Sequence, residues 1–324
     1  KNARRHPQRI VFTEGDNYRI LTAAEILINN GVAKPILLGS KEKMAAIIEE
    51  YQLELQEAEF IDVTTDSAGR EEYAAQMYEF RKRRGWTMGE CRSKIKSREY
   101  YGNMMLRDGA ADALISGLTV KYPTALRPIL RIIGMEEGMR KAAGMYILLS
   151  KRGPMFFADT TINLDPTVED LVQMVLNVAD TVKRTNITPK VALLSYSNFG
   201  SSNGPDARKM AQASSILRKE HPDLIVDGEM QANFALEPEL LKESFPFSDL
   251  VGHQANVFIF PNLAAGNITY KMLQSFGAAE AIGPMLIGTK SSAHVLQLGA
   301  SVREIVNMAT LAAVDARNRK VKKG

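Results

Sequence analysis

RIVFTEGDNYRILTAAEILINNGVAKPILLG (Arg9 to Gly39) is the stretch that decides the fold. RIVF is apolar and stops at the polar turn Glu14 to Asp16. NYRILTAAEILINNG then places its apolar residues at helical spacing and ends on Gly31, a residue type suited to the left-handed position after a helix. AKPILLG is apolar again. Strand, amphipathic helix and strand within about thirty residues are the repeating unit of a parallel α/β fold.

The alternation continues to the end of the chain. FIDV (Phe60 to Val63), DALISG (Asp112 to Gly117), MYILLSK, MFFADT, KVALLSYS, LIVDGEM, VFIFPNL and AIGPMLIG read as strands. REEYAAQMYEFRKRRG, YPTALRPILRIIG, TVEDLVQMVLNVADTVKRTN, GPDARKMAQASSILRKEHP and Ser301 to Lys320 read as helices. HVLQLGASVREIV (His294 to Val306) reads as a loop that turns at Gly299 into the last helix. The Gly-, Glu- and Met-rich text from Gly134 to Gly144 suits a crossing between domains. Two α/β domains are expected, residues 1–138 with 298–324 and residues 139–297. The length of 324 residues fits two cores, and there is no repeat or low-complexity tract.

Composition narrows the function classes. The chain is 45% hydrophobic and 24% charged, without an apolar run near the roughly 20 residues of a membrane helix. Its net charge of +4 is mild, and its cations are dispersed apart from Arg81 to Arg84, Arg92 to Arg98 and the C-terminal tail, so neither nucleic acid nor membrane is an expected partner. The single Cys91 excludes an internal disulfide, and His6, His221, His253 and His294 lack metal-ligand spacing, so no metal is expected and the cytoplasm is the expected compartment. A chain that begins at Lys1 without Met suggests a piece of a longer protein.

Loops that follow parallel strands carry the candidate sites. Ser195 to Lys209 offers serines, glycines and asparagines ahead of a helix, which suits either an anion at a helix N-terminus or a flexible connection capped by Asn203. Phe260 to Gln274 holds Asn262, Asn267, Tyr270 and Lys271, and its asparagine amides suit either a ligand or structural ties. Arg127 stands about one turn past the Ser116 to Tyr122 loop, and Arg81 ends a helix, where the dipole alone favours a cation. No GxSxG, HExxH, CxxC, Walker loop or GxGxxG occurs, so any substrate must bring its own reactivity.

Taken in order, RIVFTEGD, YEFRKRRGWT, GAADALISG, LRPILRIIG, ALLSYSNFGS, DGEMQ, ANVFIFPNLAAGNITYKMLQ, AIGPMLIG and SVREIVNMA resemble the phosphate acetyltransferase (phosphotransacetylase) family along essentially the whole chain. RIVFTEGDNYRIL, LTVKYPTALRPIL and GWT are most similar to the phosphotransacetylase-like domain at the C-terminus of bacterial NADP-dependent malic enzymes. The resemblance implies two α/β domains with mainly parallel sheets and an interdomain cleft, of the isocitrate/isopropylmalate dehydrogenase-like, phosphotransacetylase type, in a homodimer or larger assembly. It implies acetyl-CoA or CoA as ligand, with Arg81, Tyr122, Arg127, Ser195, Ser197, Ser201, Asn262, Asn267, Tyr270 and Lys271 as candidate contacts.

In active members the CoA thiolate attacks acetyl phosphate, helped by cations, a hydroxyl and a carboxylate base. The two helical arginines correspond to Arg81 and Arg127, and the base to Glu304, one methylene longer than the usual aspartate. The Leu-Ser-Arg-Gly signature reads Leu296-Gln297-Leu298-Gly299 here, so Gln297 and Leu298 replace the serine and arginine, and Tyr122-Pro123 stands where small hydroxyl residues are common. Loss of a charge-assisted phosphoryl contact of roughly 1.5–3 kcal/mol, with the serine gone as well, predicts a rate loss of several powers of ten and a catalytically degenerate domain without transferase activity of its own.

The expected role is therefore a regulatory domain that binds acetyl-CoA and acts on malate decarboxylation in an N-terminal part. That part would hold NADP and the divalent metal, and no cofactor is expected in this domain. An active phosphate acetyltransferase using Glu304, Arg81 and Arg127, and a dimerisation scaffold, are the alternatives.

Overall fold

A computed structural model describes residues 6–277 and 280–323; the assignments made above for residues 1–5 and 324 lie outside the described residues. The opening unit is β1 (Gln8–Phe12), α1 (Tyr18–Asn29) and β2 (Ala33–Leu38), with Val11 opposite Ile36 in parallel register. Asn17 caps α1 by accepting from the Arg19 N–H at 3.0 Å, and Gly31 has φ of +62° just beyond its end.

The chain continues through α2 (Lys41–Tyr51), β3 (Glu59–Ile61) and α3 (Ser67–Arg81), then a short 3-10 turn at Lys82–Arg84. Next come α4 (Met88–Lys94), α5 (Arg98–Asp108), β4 (Ala113–Ser116) and α6 (Tyr122–Ile132). Tyr100 to Leu106 are all buried, so α5 runs through the unit's interior rather than over its surface.

A second unit holds β5 (Ala143–Ser150), β6 (Gly153–Ala158), α7 (Val168–Arg184), β7 (Lys190–Leu194), α8 (Pro205–Glu220) and β8 (Ile225–Met230). It continues with α9 (Ala232–Leu236), α10 (Pro238–Ser244), β9 (Val257–Ile259), α11 (Leu263–Ser275) and β10 (Glu280–Ile287). Its sheet runs β10-β5-β6-β9-β7-β8, parallel except that β5 is antiparallel to both β10 and β6. Phe157, Phe258, Phe260, Tyr146 and Tyr270 pack together in its core.

The chain then adds β11 (Ser292–Val295) and α12 (Val302–Lys323) to the first unit. That unit's sheet is β11-β4-β1-β2-β3, all parallel, with His294 opposite Ile115. The units are Lys1–Glu137 with Thr289–Gly324, and Gly138–Gly288. The return to the first unit therefore falls nine residues before the expected 297/298, since 297 − 288 is nine. The reason is β11: the loop expected from His294 onward begins inside this strand, whose Ser292 and His294 are both buried beside β4.

Candidate functional site

Trp86 is the centre of a cationic constellation in the first unit. Gly85, with φ of +81°, turns the chain after the 3-10 segment so that the indole lies against the end of α3. The Arg81 guanidinium is 4.8 Å from the Trp86 ring centroid, Lys94 Nζ is 5.1 Å away, and the Arg131 guanidinium 5.7 Å. Tyr100 completes the wall: its ring centre is 6.2 Å from Trp86, and its hydroxyl accepts from Arg131 Nη1 at 3.1 Å.

Among the described residues none of these three cations meets a carboxylate. Arg81 is 9% exposed, and its Nε is buried without a hydrogen-bond partner. Burial first, then repulsion from Arg84 and Arg131, pulls its guanidinium below the usual arginine value. Cation–π contacts of about 0.5–1 kcal/mol each offset part of this repulsion, and a bound anion would remove most of the rest. Arg127 is exposed on α6, one turn before Arg131, and Tyr122 is half-buried at the start of the same helix. Lys94 and Arg131 were missed from sequence because nothing in the text of α4 or α6 shows that they share an indole with Arg81.

A buried carboxylate also shapes the loop before α6. Glu14 accepts from the Gly117 and Thr119 N–H groups, both at 3.2 Å, and from the Thr13 hydroxyl at 3.0 Å. Burial raises its carboxyl above the usual range despite these donors.

The signature loop is strapped to the same end of the sheet. Leu296 N–H donates to the Ser116 carbonyl at 2.7 Å, Gly299 N–H to that of Leu118 at 3.1 Å, and Arg19 Nη1 to the Gly299 carbonyl at 2.8 Å. Leu298 projects from this loop and is 62% exposed. Glu304 is occupied: its Oε2 accepts from both the Ser301 N–H and the Ser301 hydroxyl at 2.8 Å, while Ser301 Oγ accepts the Glu304 N–H at 3.3 Å. This is a capping box at the start of α12, and it gives the carboxylate a structural task.

In the second unit the serine-rich loop wraps a negative charge of the protein's own. Glu229, at the end of β8, is 2% exposed. Its Oε1 accepts from the buried Ser197 hydroxyl at 2.9 Å and from the Gly200 N–H at 2.7 Å. Ser197 Oγ in turn accepts the Ser202 N–H at 3.0 Å, and Ser201 Oγ accepts the Asn198 N–H at 2.9 Å. Ser195 Oγ accepts the Ser197 N–H at 3.2 Å. The single Ser197 proton is thus directed at a carboxylate, which disfavours a phosphate on that hydroxyl. Two acidic residues, Asp227 and Glu229, in the buried strand IVDGEM were the sequence signal available for this arrangement. The N-cap of α8 is Gly204 rather than Asn203, and a side chain at Gly204 would collide with the Tyr196 hydroxyl.

Asn262 and Asn267 serve as ties. Asn262 caps α11 by accepting the Ala265 N–H at 3.0 Å and donates to Asp206 at 3.1 Å, while Asn267 donates to the Thr160 carbonyl at 3.1 Å. Beside them opens a recess of about 500 Å³ with Asp165 and Asp206 on its rim. Lys209 bridges those two carboxylates. Tyr270 is a core residue stacked on Tyr146, ring centres 4.0 Å apart, whereas Lys271 is exposed. Among the described residues no His, Cys, Asp and Glu cluster suits a metal, and no helix is long and apolar enough to cross a membrane.

Residues 1–313 match a family model described as phosphate acetyl/butaryl transferase. The NADP-dependent malic enzyme of Salmonella typhimurium is 39% identical over 319 residues, which are 97% of this chain and 42% of that protein. The phosphate acetyltransferase of Clostridium acetobutylicum is 34% identical over 322 residues, 97% of this chain and 96% of that protein. The chain thus spans about two fifths of the malic-enzyme relatives it matches. A solved phosphotransacetylase from Staphylococcus aureus superposes with a TM-score of 0.88 at 30% identity, covering 96% of this chain and 94% of that one. A 4-hydroxythreonine-4-phosphate dehydrogenase from Klebsiella pneumoniae, at 11% identity and a TM-score of 0.57 over 96% of this chain and all of that one, shares the fold alone.

Proposed function

Because the chain belongs to the phosphate acetyl/butaryl transferase family, we propose that it is a catalytically degenerate member that binds acetyl-CoA or CoA and regulates a malic enzyme in cis. The observation that carries this reading is Leu298, an exposed isobutyl group where the family resemblance places an arginine. It has no donor for a phosphoryl oxygen as the carbon–oxygen bond breaks. Glu304 adds to the loss, since its carboxylate already receives two donors from Ser301.

Binding is a separate matter from turnover. Arg81, Lys94 and Arg131 around Trp86 form a cationic surface suited to the phosphates of a CoA nucleotide. In this reading the domain binds the metabolite and shifts a malic enzyme between two states, which requires only different affinities for them. NADP, the divalent metal and malate decarboxylation belong to an N-terminal part outside this sequence, and the assembly is a cytoplasmic homodimer or larger oligomer.

Titration of acetyl-CoA by calorimetry, beside release of CoA thiol in the acetyl phosphate assay, tests the proposal. Binding without turnover supports it, and turnover at an ordinary enzymatic rate, about 1–10³ per second, overturns it. A second reading, an active phosphate acetyltransferase, is favoured by the match to 96% of the Clostridium acetobutylicum transferase. Absence of both binding and turnover points to a dimerisation scaffold.

A further inference from the structure

The chain passes between its two units twice, at 137/138 and at 288/289. The outgoing and returning segments lie side by side. Met135 and Thr289 form an isolated antiparallel bridge, and the Lys290 N–H donates to the Gly134 carbonyl at 3.1 Å. This two-rung ladder is short and is flanked by Gly134 and Gly138, both with positive φ, so its backbone contributes little stiffness of its own.

Arg319, near the end of α12, reaches both segments with one guanidinium. Its Nη1 donates to the Glu136 carboxylate on the outgoing segment and, at 2.8 Å, to the Thr289 carbonyl on the returning one. Its Nε donates to Asp315 Oδ2 at 2.7 Å, which fixes the side chain against its own helix. The Arg319 side chain is largely buried. A planar guanidinium can hold three acceptors in one fixed fork, which an ammonium cannot.

We propose that Arg319 is a latch within the first unit, a conformational device that fastens the outgoing and returning segments to α12 and sets how readily they open. With the latch closed, α12 and both segments form one piece. With it open, only the short ladder restrains the two segments. The device rests on the geometry of residues 134–138, 289–290 and 315–319, and does not depend on which ligand the protein binds.

Hydrogen exchange on the 324-residue chain tests this, with Arg319→Gln and Glu136→Gln. The second variant keeps the Asp315–Arg319 pair and so serves if the first does not fold. Exchange at residues 133–138 and 288–291 should rise at least tenfold in either variant, while β1 and β7 stay within twofold. Exchange at these segments within twofold of the parent, or an equal rise throughout the first unit, would each overturn the latch.

Discussion

Ser301 and Glu304 satisfy one another at the first turn of α12: the serine hydroxyl accepts the Glu304 N–H at 3.3 Å, and the glutamate carboxylate accepts the Ser301 N–H at 2.8 Å. The residue that the family resemblance marks as a base is therefore the third residue of a capping box.

Removing either partner should destabilise α12 by about 0.5–2 kcal/mol. Ser301→Ala and Glu304→Ala together should cost less than the sum of the two, because each deletion already abolishes the shared contact. Urea unfolding of the four proteins in the cycle measures this. Strict additivity would show that the two side chains act independently.

Arg81→Ala should weaken acetyl-CoA binding by roughly tenfold to a hundredfold, the loss of one charged contact worth about 1.5–3 kcal/mol. Trp86→Ala should weaken it as well, because the indole holds Arg81, Lys94 and Arg131 within 6 Å of its centre. Calorimetry at two salt concentrations checks both, with the smaller salt dependence expected in Arg81→Ala. Unchanged affinity in Arg81→Ala would place the nucleotide elsewhere.

Ser197→Ala should cost about 1–3 kcal/mol of stability, since it removes a donor from the buried Glu229 carboxylate and the acceptor of the Ser202 N–H. Affinity for acetyl-CoA should stay within twofold. The reverse pattern, full stability with lost affinity, would restore the phosphate-binding reading of this loop.

Stability should fall with acid through His294. Burial lowers its pKa from 6.5 to about 4, with Asp315 opposing and Arg319 adding to the shift. The unfolded chain then takes up a proton between pH 6.5 and 4 that the folded chain refuses, so this contribution is complete above pH 6.5 and fades as pH falls toward 4, by roughly 3 kcal/mol in all. Asp16, Asp112 and Asp170 are held below the usual carboxylate range and add losses at lower pH. Urea midpoints of parent and His294→Gln across pH 7 to 4 should therefore diverge in slope, and parallel curves would remove His294 as the cause.

Restoring the signature with Gln297→Ser and Leu298→Arg, and shortening Glu304→Asp, should raise acetyl transfer from acetyl phosphate to CoA above the parent's background by at least tenfold. The thiol-release assay reads this directly. No gain, in a variant that still binds acetyl-CoA, would mean that Leu298 is not the limiting defect.

The parallel α/β architecture was legible because β1, α1 and β2 each announce themselves by period and by Gly31. Several elements were not, α5 and β11 among them. α5 is buried along Tyr100 to Leu106, so it lacks the polar stripe that marks a surface helix, and β11 carries Ser292 and His294 in its interior. At the candidate site, Arg81 was found through the family resemblance, whereas Lys94 and Arg131 join it only through the third dimension. For Ser197, Asn262 and Asn267 the sequence left ligand and structural roles open, because capping, loop closure and ligand binding use the same side-chain chemistry. Glu229, which holds the serine-rich loop, and Glu14, which holds the loop before α6, are acidic letters within or beside apolar runs, and the text does not show which loop each one reaches.

The first unit is discontinuous, and that imposes a schedule on synthesis. Gly138–Gly288 is one unbroken length of chain and can assemble while the ribosome is still adding residues. Its companion waits: β11, the neighbour of β4, and α12, which lies against α1, arrive only with Thr289–Gly324. Until then the β4 edge and the apolar side of α1 stand open to chaperones and to other nascent chains, so a ribosome stalled shortly before Thr289 would release one finished unit joined to one incomplete, adhesive one.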